Sequence, residues 1–75
     1  MIEDLKSRLE GAFADAEVAV DGEGNRFEID LVSAAFDGLT RVKRQQAVYA
    51  VIGDLISSGA VHAVTIRAMT PAERG

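Results

Sequence analysis

The chain has no cysteine and no tryptophan, and only one proline and one histidine among its 75 residues. Without thiols it forms no disulfide, offers no thiolate nucleophile and builds no all-thiolate zinc or iron–sulfur site from its own residues. Such a composition suits a reducing cytoplasm. Long apolar runs are also missing. None approaches the roughly 18 residues of a spanning helix, and the chain opens with Glu3 and Asp4 where a signal segment would be basic. We therefore expect a soluble cytoplasmic protein with no membrane association. At this length one small domain, residues 1–75, is all that fits, with room for a binding surface and hardly for a deep cleft.

Positive charge is scarce and unevenly placed. The net charge is −4, but residues 1–37 hold ten acids and three bases (−7), whereas residues 38–75 hold two acids and five bases (+3). General coating of nucleic acid is disfavoured by this balance; a local basic stripe is not. Catalysis is not expected either. No Ser/His/acid or Cys/His combination can be assembled, and no acid pair sits in an apolar pattern that would raise a pKa.

What is present is clear periodicity. Ile2, Leu5, Leu9, Ala12 and Phe13 recur at helical spacing and predict an amphipathic helix over residues 2 to about 14. Val18 and Val20, then Phe27, Ile29 and Leu31, alternate with polar residues and predict two half-buried strands. Between them Asp21-Gly-Glu-Gly-Asn25 reads as a hairpin loop in which Gly22 and Gly24 supply positive φ. Ala35-Phe36-Asp37-Gly38 is a turn. Val48, Val51, Ile52, Leu55 and Ile56 then mark a second helix, capped by Thr40 and closed by Gly59. Gly53 inside it predicts a close approach to another backbone, since glycine costs about 1 kcal/mol there relative to alanine. Val61 to Met69 alternate as a third strand, and Thr70-Pro71 starts a last helical turn with Glu73 near its positive end. The expected class is α+β, in the order helix, strand, strand, helix, strand, with the helices on one face of a three-stranded sheet.

Two sets of residues are candidates for function. His62 is the one side chain suited to titration or soft-metal ligation near neutral pH. On the residues alone it is either a ligand or a structural histidine at the edge of the core, since its parity is that of Val64 and Ile66. Arg41, Lys43 and Arg44 cluster at a helix start, where the macrodipole disfavours cations. With Gln45 and Gln46 they are suited to phosphates of DNA or an acidic partner surface, or form a solvated face. Phe13, Phe27 and Phe36 read as core or turn packing, and Tyr49 as a half-buried residue whose hydroxyl reaches a turn.

Taken together, Phe36-Asp-Gly38, Thr40-Arg-Val-Lys-Arg-Gln-Gln-Ala-Val-Tyr49, Val61-His62-Ala63-Val64-Thr65-Ile66 and Thr70-Pro71-Ala-Glu73 resemble the BolA family, in particular its IbaG-type bacterial branch. The resemblance implies a fold with class II KH topology. It also implies a partner, a monothiol glutaredoxin, with which such proteins share a two-iron two-sulfur cluster, His62 matching a cluster ligand. A second ligand, Cys or His, usually comes from the loop between the first two strands. Here that loop reads Asp21-Gly-Glu-Gly-Asn-Arg26, with Arg26 roughly where the branch would place a histidine, and a guanidinium cannot ligate iron. Asp21 and Glu23 are either weak carboxylate ligands or solvated turn residues. The branch is also expected to run slightly beyond Gly75.

The expectation is therefore a non-enzymatic partner of a monothiol glutaredoxin in iron–sulfur cluster trafficking or iron sensing. The cluster would be shared, with none bound by this chain alone, and the chain by itself would be a monomer or weak homodimer. The alternative is a small DNA-binding transcriptional regulator that lays residues 38–49 on a duplex.

Overall fold

Leu5 and Leu9 lie one helical turn apart and are fully buried, which fixes α1 (Ile2–Ala12) against the sheet. In the computed structural model, which describes residues 1–74, α1 is followed by β1 (Glu17–Glu23), β2 (Arg26–Val32), a 3-10 turn at Ala34–Phe36, α2 (Arg41–Ser57), β3 (Ala63–Met69) and α3 (Pro71–Arg74). The sheet order is β1-β2-β3, with β1 antiparallel and β3 parallel to the central β2. Because β2 and β3 are parallel, α2 is the crossover between them.

Strand parity then sorts the sheet into two faces. Phe27, Ile29, Leu31 and Ile66 join Leu5, Leu9, Val48 and Ile52 in the core, beneath α1 and α2. Glu28, Thr65 and Arg67 stand on the opposite, uncovered face, where Arg67 and Asp30 form an ion pair at 2.5 Å. Phe36 is fully buried and packs on Phe13 with ring centroids 4.9 Å apart. Ser33 is buried too; its hydroxyl donates to the Ala14 carbonyl at 2.8 Å and so ties the 3-10 turn to the end of α1.

The end signals of α2 act as the sequence predicts. Thr40 Oγ1 accepts the Lys43 amide at 3.2 Å, and Gly59, with φ of +82°, follows the C-cap Ser58. At α3 the Thr70 amide donates to Glu73 Oε1 at 2.9 Å while the Glu73 amide donates to Thr70 Oγ1 at 3.2 Å, a reciprocal capping box.

Four local expectations are corrected. The loop from Asp21 to Asn25 is shorter than its polar composition suggests: β1 runs through Glu23 and β2 starts at Arg26, so the turn is Gly24-Asn25. Gly24 has positive φ (+63°), but Gly22 does not. Gly22 is instead required by packing, since a Cβ there would press into the Phe27 ring across the strand pair. Gly53 approaches no backbone; nothing outside its own helix lies within 4 Å of where its Cβ would be. Tyr49 is 40% exposed and makes no side-chain hydrogen bond among those found in the described residues. It lies one helical step past the buried Val48 and so turns outward.

Candidate functional site

His62 precedes β3 and is exposed. The reading of it as a core-edge histidine fails for a geometric reason: Val61 is the buried residue at this strand entry, and His62 lies ahead of the first paired position, Arg26 beside Ala63. Its backbone is nevertheless fixed. The Asn25 carbonyl accepts the His62 amide at 2.8 Å and the Ala63 amide at 3.2 Å, while the Val61 amide donates to the Leu55 carbonyl at 3.1 Å. An imidazole on such a segment is held at its base and open at its tip.

The β1–β2 turn therefore stands next to His62, and the sheet end beside it forms a cleft of about 450 Å3 lined by Asp21, Glu23, Arg26, Glu28, Ala63 and Thr65. Asp21 is partly engaged, since its Oδ1 accepts the Gly22 amide at 2.9 Å. Among the described residues no three His, Cys, Asp or Glu side chains come together as a metal cage. His62 itself does not line this cleft, whose carboxylates come from Asp21, Glu23 and Glu28.

The basic segment divides in two. Arg44 reaches back across the fold: NH1 and NH2 meet Glu73 Oε1 and Oε2 at 2.6 and 3.0 Å, and Nε donates to the Leu39 carbonyl at 3.0 Å. Its NH1 also lies 3.3 Å from the Ala68 carbonyl. Gln45 Nε2 donates to the Ile66 carbonyl at 2.9 Å. Both side chains thus bond carbonyls on the outer edge of β3, an edge that would otherwise invite strand addition. Arg41, Lys43 and Gln46 remain exposed. A second cleft, of about 660 Å3, lies between the start of α2 and β3, lined by Arg41, Arg44, Gln45, Ile66, Arg67 and Glu73. The Arg44 guanidinium, with the Thr70 amide, holds the Glu73 carboxyl well below its ordinary value of 4.5, at about 2.

Sequence reasoning missed two participants. Asn25 acts through its carbonyl, and the Gly24-Asn25 pair between alternating strands is a recognised hairpin signal that points to it. Glu73 reads from sequence as a helix-start acid and not as the partner of Arg44, because an ion pair spanning two elements leaves no local mark.

Residues 5–73 match the sequence model of the family described as BolA-like protein. The chain belongs to the BolA family. It is 54% identical over 71 residues to a protein from the rpoN-murA intergenic region of Acinetobacter guillouiae, covering 95% of this chain and 86% of that one. It is 43% identical over 70 residues to the acid stress protein IbaG of Escherichia coli K12, covering 93% and 83%, which places it in the IbaG-type bacterial branch. In three dimensions it is similar to the BolA domain of SufE1 from Arabidopsis thaliana, with a TM-score of 0.87 at 32% identity over 95% of this chain and 92% of that one. The BolA assignment agrees with the mixed three-stranded sheet and the helices laid on one of its faces. No helix among the described residues is long and apolar enough to cross a membrane.

Proposed function

We propose that this BolA-family chain is a non-enzymatic docking partner of a monothiol glutaredoxin in the cytoplasm, working in iron–sulfur cluster trafficking or iron sensing. His62 supplies one ligand to a two-iron two-sulfur cluster, and the remaining ligands come from outside this chain. The observation that carries the reading is the exposed His62 on a backbone anchored by Asn25. Neutral imidazole is a suitable iron ligand, and a fixed base with a free tip presents it to a partner at little further entropic cost. Arg41 and Lys43 form the exposed cationic surface that assists docking. The name of the Escherichia coli relative, an acid stress protein, extends the reading to a role under acid stress.

The test is anaerobic co-purification of the chain with a monothiol glutaredoxin, with iron and acid-labile sulfide measured per complex. The reading predicts about two of each for one cluster. A complex without iron would leave an apo interaction only, and no complex would remove the proposal.

A further inference from the structure

We infer that α2 carries a second docking surface, one that fits another copy of this chain in antiparallel alignment. Val42, Gln46, Tyr49 and Gly53 fall at i, i+4, i+7 and i+11 and lie within about 60° of one another around the helix. This face lies about 90° around the helix from the buried Ile52 and about 130° from the buried Val48. Val42 is 64% exposed, the most exposed large apolar side chain in the described residues. Gly53 is a notch with nothing within 4 Å of its Cβ position. Knob and notch are about 16 Å apart along the axis.

A two-fold axis midway between Ala47 and Val48 sets Val42 over Gly53 of the partner subunit and Tyr49 beside Gln46 of the partner subunit. Each contact is then made twice, as an isologous interface requires. Charge selects the same alignment. Lys43 and Asp54 share one flank of the face near its opposite ends, so the antiparallel pair brings Lys43 to Asp54 of the partner subunit. A parallel pair would carry the two copies of this flank to opposite sides of the seam, and the Lys43–Asp54 approach would not form. Asp54 is engaged by Arg8 at 2.6 Å yet keeps 65% of its side chain exposed, so a second cation can reach it. Knob, notch, cation and anion recur at symmetric positions, which is what a second copy of the same face requires. The patch is one helix face, at the small end of specific interfaces, so the association is weak.

Sedimentation equilibrium on the full chain alone, at low salt from about 10 μM to about 1 mM, tests this. The expected result is an apparent mass that rises toward twice that of one chain, with concentration-dependent amide shifts at Val42, Tyr49 and Gly53. Lys43→Glu and Asp54→Lys should each weaken self-association about tenfold. Mixing the two variants should restore a heterodimer, because both cross-pairs are then opposite in charge. A mass that stays at one chain up to 1 mM, association unmoved by Lys43→Glu, or a mixture that stays apart overturns the inference. So do α2 shifts that appear only when a monothiol glutaredoxin is added. Lys43→Glu places an acid in the first turn of α2, which the macrodipole favours, so loss of folding does not confuse the result. No cluster or glutaredoxin enters the self-association measurement, so its outcome is separate from the proposed role of His62.

Discussion

The backbone carbonyl of Asn25 accepts the amide of His62 at 2.8 Å. A two-residue hairpin turn and the entry to β3 are thereby held together, although they are distant in sequence. The position of the imidazole base follows from the turn geometry, which in turn depends on Gly24 at φ +63°.

Replacing Gly24 by valine should therefore act on His62 at a distance. A β-branched residue in the left-handed region costs about 1–2 kcal/mol, read as a lower urea midpoint. In a nitrogen–proton correlation spectrum, the amides of His62 and Ala63 should shift with those of the turn. Unmoved His62 and Ala63 amides would show that Asn25 does not couple the two segments.

Two other glycines should respond in opposite directions. Gly22→Ala puts a Cβ 2.7 Å from Phe27 Cε1 and closer still to Cδ1, so we expect a loss of about 1–3 kcal/mol in urea unfolding. Gly53→Ala meets open space on a helix and should gain up to about 1 kcal/mol, measured in dilute solution. Equal effects at the two sites would contradict the packing described.

Acid should loosen the clasp between α2 and α3. The folded-state pKa of Glu73 is lowered to about 2 from 4.5, first by Arg44 and then by the Thr70 amide. The pair's contribution is therefore fully present above about pH 4.5 and is lost as the pH falls toward 2. Glu73→Gln should flatten the decline in stability across this window, and high salt should reduce it, because the carboxylate is half exposed. Asp30 and Asp54, lowered by Arg67 and Arg8, act in the same direction and continue to titrate in the variant.

Much of this fold is legible because its signals are local. Thr40, Gly59 and Pro71 mark element ends through their own side chains and backbones, and the period-2 pattern from Phe27 to Leu31 needs no tertiary context. The misreadings share a different cause. Whether Gly53 meets a neighbour, whether Tyr49 turns inward and whether Arg44 is free depend on elements distant in the chain. Gly22 is the clearest case: its requirement comes from an aromatic ring on the next strand. At the candidate site the sequence identified His62 but not its anchor, since a carbonyl acceptor has no side-chain signature.

Duplex DNA would find a reduced basic surface. With Arg44 bound to Glu73, Arg41 and Lys43 are the exposed cations of residues 38–49. Two phosphate contacts predict a slope of log K against log salt of about −2, and Lys43→Ala should flatten it by about one. A slope of about −3 or steeper in the unmodified protein would mean that Arg44 leaves Glu73 for the duplex.

The most direct measurement is visible circular dichroism of the cluster-loaded complex with a monothiol glutaredoxin, comparing the unmodified chain with His62→Ala. His62 is exposed and bonds through its backbone, so the variant should fold as before, checked by its far-ultraviolet spectrum and urea midpoint. A changed visible spectrum is expected, because one ligand has been replaced. An unchanged visible spectrum in a folded, cluster-containing complex would contradict it.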